Sequence, residues 1–354
     1  MFLRRGLLAF CLLISSGQMA WSSSGTEGAS FLDIPVGGAP AAQGSAYTAQ
    51  ATDVYAPVWN PAGLGYLHSI ELTGTHLDYI PPVYYEHAGF VVPIGKKDDS
   101  NNSPAGLGFS MQYLGTNGID ARDNNGNPQG TFTSAFAAYS LAYGEKIADN
   151  FSVGMTAKLI TESISDASAK AYATDLGLLY KPMPRLNVGA VIANLGSKLK
   201  FADQSDPLPL AGRLGTTYQL RPQWDLSAEA VYRNSGLTSG SLGTEWRYGD
   251  IFSFRAGYNS SHIQGLGAAS GFTAGLGIFF WGQEFSYAWV PMGDLGSTNY
   301  FSLVFRWDTK PRQERPRLKS AQEDRDFEEF NDPTQYKDIY QFLNDDEKKP
   351  LQFQ

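Results

Sequence analysis

The sequence predicts an all-β fold, a transmembrane antiparallel β-barrel of about fourteen strands with an N-terminal plug-like segment and a C-terminal periplasmic tail. Two observations carry this prediction. Apolar residues recur at every second position through many short segments, and tight turns alternate with longer polar loops between those segments. Glycine, at 38 residues, and aromatic residues, at 13% of the chain, are also typical of such a barrel.

The first residues predict export. Arg4 and Arg5 precede an apolar run over residues 6–14, and small polar residues follow it. This three-part layout is that of a cleaved secretory signal peptide, assigned to residues 1–24. The run has roughly nine residues where a spanning helix needs about 20, so a transmembrane anchor is the weaker alternative.

The next segment, residues 25–67, is predicted to be a plug. It is rich in Gly and Ala, and small residues let a chain pack closely in a confined space. Near its end, Asn-Pro followed by Gly is a turn signal that would reverse the chain into the first strand. The alternative is a plain linker with one turn. The residues of this plug motif are Gly37, Gly38, Asp53, Trp59, Asn60, Pro61, Ala62 and Gly63.

The barrel itself is predicted over residues 68–308. An even number of strands brings both ends of the barrel to one side. Twelve or sixteen strands are alternatives, because strand boundaries are uncertain by about two to four residues. The strands are placed at residues 68–78, 84–94, 104–115, 133–146, 151–163, 171–181, 186–195, 209–220, 224–234, 240–248, 251–260, 270–280, 283–291 and 298–308.

The connections give an independent argument for a membrane barrel. Links after even-numbered strands are mostly tight turns, such as Met183-Pro184-Arg185 and Trp281-Gly282. Links after odd-numbered strands are mostly longer, such as Thr116 to Gly130 and Gly196 to Leu208. Short periplasmic turns and long external loops are typical of an outer-membrane barrel, and a soluble β-sandwich has no reason to show them.

The alternation separates two faces of the wall. The terminal strand presents Phe301, Leu303, Phe305 and Trp307 to lipid. The opposite, polar face collects charges of both signs, which we interpret as pairs that brace the wall. The alternative is a polar conduit or a docking surface for the plug. These lumen charges are Lys158, Asp175, Arg213, Glu229, Arg233, Glu245, Arg247, Arg255, Glu284 and Arg306.

The plug segment resembles a known family. Its Gly-Gly-Ala over residues 37–39, Ala-Tyr-Thr-Ala over 46–49, Asp53 and Trp-Asn-Pro-Ala-Gly-Leu over 59–64 are similar to the N-terminal signature of the PorV/PorQ family of outer-membrane proteins. That family is related to FadL-type fatty acid transporters, in which an N-terminal hatch plugs a 14-stranded barrel. The resemblance covers roughly residues 30–308, and it implies location in the cell outer membrane.

The resemblance also implies a function. Members of the PorV/PorQ family act in type IX secretion, where they hold cargo at the outer membrane. We therefore expect protein secretion or envelope assembly through protein contacts, and the alternative is FadL-like passive transport of a hydrophobic small molecule. A third hypothesis is a purely structural barrel. The expected partners are the lipid bilayer, secretion or envelope proteins bound by the tail or the extracellular loops, and, on the alternative, a hydrophobic ligand.

The tail, residues 309–354, departs from that family, whose barrels typically finish at the last strand. It holds nine of the 27 Lys and Arg and eleven of the 35 Asp and Glu. Tyr336, Ile339, Tyr340 and Leu343 share one face of a short predicted helix. We interpret the tail as a periplasmic segment that folds against a partner, and the alternative is a disordered, solvated extension.

No enzymatic constellation is found. The histidines His68, His76, His87 and His262 lack metal-ligand spacing. The stretch from Asp120 to Gly126 looks like a calcium loop only superficially, so an extracellular loop is the better interpretation. We expect no catalytic residue, no metal and no cofactor, and the net charge of −8 argues against nucleic acid as a partner.

Overall fold

The computed structural model describes residues 27–307 except 80–81, 96–102, 117, 124, 202–203 and 264–266. The predicted signal peptide and the predicted tail lie outside the described residues. Within the described part, no helix is long and apolar enough to cross a membrane.

Eighteen strands are present in the described residues, and fourteen of them form one closed antiparallel barrel. Both the predicted fold class and the predicted count of fourteen barrel strands are confirmed. The strands are β1 (Ile70–Asp78), β2 (Val83–Ile94), β3 (Ala105–Thr116), β4 (Ile119–Arg122), β5 (Pro128–Phe132), β6 (Ser134–Ala148), β7 (Phe151–Ile164), β8 (Ala167–Met183), β9 (Leu186–Gly196), β10 (Leu199–Phe201), β11 (Gln204–Asp206), β12 (Ala211–Arg221), β13 (Trp224–Arg233), β14 (Thr238–Tyr248), β15 (Phe252–Asn259), β16 (Phe272–Phe280), β17 (Gln283–Pro291) and β18 (Ser297–Trp307).

The barrel closes between its first and last strands. Ile70 lies opposite Trp307, and the pairing continues to Asp78 opposite Asn299. The remaining strands β4 and β5, and β10 and β11, form two separate hairpins within the predicted long loops. The sequence did not predict these hairpins, because their strands are short and lack a clear apolar alternation.

The predicted alternation of connection lengths holds with exceptions. On the side of the chain termini, five connections are turns of two or three residues, but β2 and β3 are joined by residues 95–104. On the opposite side, β7 and β8 are joined by only residues 165–166. There β8 begins at Ala167, four residues before its predicted start. The added residues of β8 are Ala-Ser-Ala-Lys, and they pair with β7 as far as Ile164, because backbone hydrogen bonds hold a hairpin together without an apolar outer face.

The outer face of the barrel is apolar and exposed. In β18, Phe301, Leu303, Phe305 and Trp307 are between 38% and 47% exposed, whereas Ser302 between them is buried. In β7, Met155 is exposed while its neighbour Thr156 is buried. A closed sheet with an exposed apolar outer surface is the arrangement of a membrane-spanning barrel.

The N-terminal segment fills the barrel. It contains helices α1 (Gly38–Ala42) and α2 (Ala56–Trp59) and two 3₁₀-helices (Ser30–Asp33 and Pro61–Tyr66). The main apolar core joins plug residues such as Trp59 and Leu64 to the inward wall residues Leu77, Tyr85 and Val91. The core of this protein is therefore the interface between plug and wall.

Candidate functional site: the plug, its seat and the luminal cavity

Glycines of the wall form the seat of the plug. A Cβ atom at Gly144 or Gly154 would overlap the backbone of Pro61, and one at Gly177 would overlap the Asn60 Oδ1. The same relationship recurs around the barrel at Gly106, Gly189, Gly243, Gly257 and Gly275. Because plug atoms occupy the space that a side chain would take, a larger residue at these positions would displace the plug. This seat was not predicted from the sequence, although glycine at inward positions of strands was a signal for it.

Asn60 joins the plug to the wall, and it also joins two parts of the plug to each other. Its Nδ2 donates to the backbone oxygens of Thr48, at 2.9 Å, and Leu178, at 3.0 Å. Its Oδ1 accepts from the Ala62 N–H at 3.1 Å, which caps the 3₁₀-helix that begins at Pro61. An amide is the side chain that can both donate to two carbonyls and accept from an N–H.

The residues around Asn60 explain the rest of its motif. The Ala62 oxygen accepts from the Ser152 hydroxyl at 2.8 Å. A Cβ atom at Gly63 would overlap the Ala51 oxygen. Trp59 donates from Nε1 to the Val36 oxygen at 3.0 Å, which ties the two ends of the plug together.

The glycine pair of the motif begins α1. Gly37 has a φ of 91°, and a Cβ there would lie 2.6 Å from the Tyr55 ring, so both backbone and space require glycine. The Gly38 N–H donates to the Ser302 Oγ at 2.8 Å. This bond attaches the start of α1 to β18.

Asp53 lies within the plug, where the Tyr47 hydroxyl and the Tyr55 N–H donate to its carboxyl group. Burial, and next the nearby Glu71 carboxylate, raise the pKa of Asp53 to about 7. Glu71 in turn accepts from the Val54 N–H at 3.0 Å. Glu71 is not among the predicted lumen charges, although its inward position in the first strand was a signal for it.

The predicted lumen charges all lie on the inner face of the wall, and most are paired. Arg247 bridges Asp225 and Glu245, Arg255 bridges Glu245 and Glu284, and Arg306 bridges Glu284 and Glu71. We call these seven residues the charge ladder. It runs around the inner wall from β13 to β1, near the end of the barrel with the short turns.

A second charged cluster lies at an irregularity between β8 and β9. The Lys158 Nζ is 2.6 Å from the Asp175 Oδ2, and both side chains are buried. Lys158 also donates to the Asn194 Oδ1 at 2.8 Å, and the Asn194 N–H donates to the Asp175 Oδ1. The strand register shifts beside Asp175, and Asn194 has a φ of 61°. This cluster therefore stabilises a β-bulge in the wall.

The remaining predicted charges contact the plug. Glu229 accepts from the Tyr47 and Thr48 N–H groups, at 2.9 Å each. The Arg213 guanidinium lies 5.3 Å from the centre of the Trp59 ring. Arg233 donates to Asp33 at 3.2 Å. Their positions suit a plug-docking surface, which was the alternative to pairing within the wall.

A cavity of about 60 Å³ lies between the plug and strands β12 to β15. Its lining combines apolar plug residues, including Ile34, Val58 and Trp59, with the charged side chains of Arg213 and Glu229. Passive transport of a hydrophobic molecule would be expected to need an apolar pocket beside the plug and a gap in the barrel wall. The cavity beside the plug is polar on its wall side, and each barrel strand is hydrogen-bonded to both of its neighbours.

No protein-family model and no curated protein matches the chain. Solved structures do. The toluene transporter TodX of Pseudomonas putida is 12% identical, with 77% of this chain and 99% of that chain covered and a TM-score of 0.57. The toluene transporter TbuX of Ralstonia pickettii is 15% identical, with 76% and 96% covered and a TM-score of 0.52. The monoaromatic hydrocarbon channel CymD is 13% identical, with 79% and 99% covered and a TM-score of 0.53.

These likenesses show that the chain has the fold of such barrels. The neighbours are named as transporters and channels, and at 12–15% identity they show the fold alone. The resemblance to the PorV/PorQ family finds no support among them, so that resemblance stays a hypothesis.

Proposed function

We propose that this protein lets a small hydrophobic molecule cross the outer membrane through its barrel, past the N-terminal plug. The observation that carries the proposal is the 14-stranded barrel filled by its own N-terminal segment, since this fold is shared with TodX and CymD. The apolar outer surface supports location in a membrane. Export through a cleaved signal peptide is part of the same proposal.

The route must involve movement of the plug. All neighbouring barrel strands are hydrogen-bonded to one another, and the cavity of about 60 Å³ is smaller than the ~150 Å³ cavity that binds benzene in an engineered protein. Passage therefore requires that the plug shift on its glycine seat. The hydrogen bonds that the plug N–H groups of Gly38 and Gly44 donate to Ser302 and Thr273 of the wall would break in that shift.

The primary test measures initial uptake of labelled toluene by intact bacterial cells that do or do not express the chain. Intact cells are needed because simple phospholipid vesicles admit hydrocarbons without a protein. Expression is expected to raise the initial rate severalfold. Equal rates in both strains, with the barrel present in the outer membrane, would reject transport of this probe.

A reversible lock tests the role of the plug. The Thr48 Cβ lies 3.2 Å from the place of a Cβ at Gly215 in β12, close to the roughly 3.5–4.5 Å that a disulfide spans. The double variant Thr48→Cys/Gly215→Cys is expected to lose uptake when oxidised and to regain it when reduced. Gly215→Cys alone is the control. Unchanged uptake by the oxidised double variant would contradict plug movement near Thr48.

A second candidate is secretion or envelope assembly through protein contacts. The observation that favours it is the extent to which the plug fills the lumen, since a docking scaffold needs no open route. Deleting residues 309–354 and comparing the envelope proteins that co-purify tests this candidate. An unchanged set of partners would remove the tail from the proposal.

A further inference from the structure

The luminal cavity has polar atoms that the protein itself does not satisfy. Five side-chain atoms of its lining residues are buried and have no hydrogen-bonding partner within the described part of the chain. Glu229 is the most informative of them, because it is only 5% exposed and one oxygen binds the plug while the other is unpartnered. The five atoms are Glu229 Oε1, Arg213 Nε, Arg233 Nε, Ser45 Oγ and His262 Nδ1.

A buried polar group that lacks a hydrogen-bonding partner has lost its hydration without compensation, which is costly. Several such groups around one cavity indicate that a polar molecule completes the site. The two guanidinium Nε–H groups require an acceptor, and the Glu229 oxygen requires a donor. A hydroxyl group meets both requirements at once.

The charges of the lining favour a neutral molecule. Asp33 and Glu229 balance Arg213 and Arg233, and burial lowers the pKa of His262, which favours its neutral form. An added anion or cation would therefore enter a site whose charges are already matched, and it would lose its hydration without a free counterion. An alcohol or a phenol avoids this cost.

The dimensions fit one end of such a molecule. A cavity of about 60 Å³ has room for a hydroxyl group and adjoining carbon, since about 10–15 Å³ measured in the same way is enough to hold one water. The apolar side chains of Ile34, Val58 and Trp59 line the same cavity and can contact the carbon skeleton.

We propose that this cavity binds the hydroxyl group of a small neutral alcohol or phenol. That such molecules are substrates of the barrel rests on the proposed function, whereas their binding can be measured without transport. Ordered water alone is the competing occupant.

The test uses two probes of nearly equal shape, p-cresol and p-xylene, which differ in one hydroxyl against one methyl group. Dissociation constants are measured by titration calorimetry on the purified, folded full chain in detergent. We expect p-cresol to bind at least tenfold more tightly than p-xylene. Equal affinities, or no binding of p-cresol, would mean that water alone fills the site and would overturn the proposal.

Variants then locate the binding. Arg213→Met is expected to raise the dissociation constant of p-cresol at least fivefold and to leave that of p-xylene unchanged. The control is Arg122→Met, in the exposed β4–β5 hairpin, which should alter neither constant. An unchanged p-cresol constant in folded Arg213→Met would place the site elsewhere and overturn the assignment. If Arg213→Met does not fold, the comparison of the two probes on the wild-type protein still decides.

The two proposals can fail separately. Preference for p-cresol in binding, without uptake of either p-cresol or toluene by expressing cells, would reject the proposed function and retain the binding site. Uptake without that preference would reject only the site.

Discussion

Arg255 of β15 donates to Glu284 of β17 across the strand that lies between them. The bond measures 2.7 Å, and the intervening strand β16 carries Gly277 at the crossing point. A Cβ atom at Gly277 would lie 2.8 Å from the Arg255 Nη1 and would overlap the Ser253 hydroxyl. The missing side chain therefore allows one ion pair to span three strands and keeps the charge ladder continuous.

Replacing Gly277 with alanine should break this crossing. Adding a methyl group to a well-packed interior costs about 1–3 kcal/mol, and separating a buried ion pair adds to that cost. We expect the free energy of unfolding to fall by about 2 kcal/mol, measured by urea titration with tryptophan fluorescence. Gly212→Ala is the control, since a Cβ there meets nothing within 4 Å. Equal losses in both variants would show that Gly277 has no special role.

Asn60 should not tolerate the isosteric change to aspartate. The new carboxylate would face the Thr48 and Leu178 oxygens, to which the amide now donates, and it would be buried with no cation described nearby. We expect a loss of about 3 kcal/mol or more in stability, with the plug displaced. Limited proteolysis of the folded barrel checks this, and a plug as resistant as that of the wild type would contradict the expectation. Gln50→Glu, at a half-buried plug amide, serves as a milder comparison.

Lys158 and Asp175 should behave as a coupled pair. Lys158→Met leaves a buried carboxylate without its cation, which typically costs about 3–5 kcal/mol. Adding Asp175→Asn removes that charge and keeps an oxygen for the Asn194 N–H, so the double variant should recover at least half of the loss. Urea unfolding of all four proteins gives the coupling energy. Additive losses would show that the two residues act independently.

Asp53 should make stability depend on pH. Its pKa of about 7 in the folded protein lies above its ordinary value near 3.8, so the folded state holds a proton that the unfolded chain has released. The stabilisation is fully present below about pH 4 and is lost as pH rises to about 7, by at most about 1.4 kcal/mol per pH unit. Asp53→Asn, which stays neutral, should flatten this part of the curve. Parallel stability curves for wild type and variant between pH 5 and 8 would contradict this assignment.

Most of the barrel followed from the sequence. Thirteen of the fourteen predicted strands begin within two residues of the observed start, and the inward position of Lys158 or Arg255 followed from counting alternate residues. Strand β8 was the exception, because its first four residues extend a hairpin that lipid does not constrain. The Asn60 motif was identified as a plug element, but its partners Leu178 and Ser152 could not be identified from spacing.

The sequence by itself determined which face of each strand meets lipid, because a bilayer accepts only apolar side chains and strand geometry then fixes the alternation. Only the tertiary structure decided which residues meet across the lumen. Pairs such as Arg255 with Glu284, Gly144 with Pro61, and Glu229 with Thr48 depend on how the sheet closes and how deeply the plug enters it. These are long-range properties, since Thr48 and Glu229 are separated by 181 positions and Gly38 and Ser302 by 264, and no local periodicity encodes which residues meet.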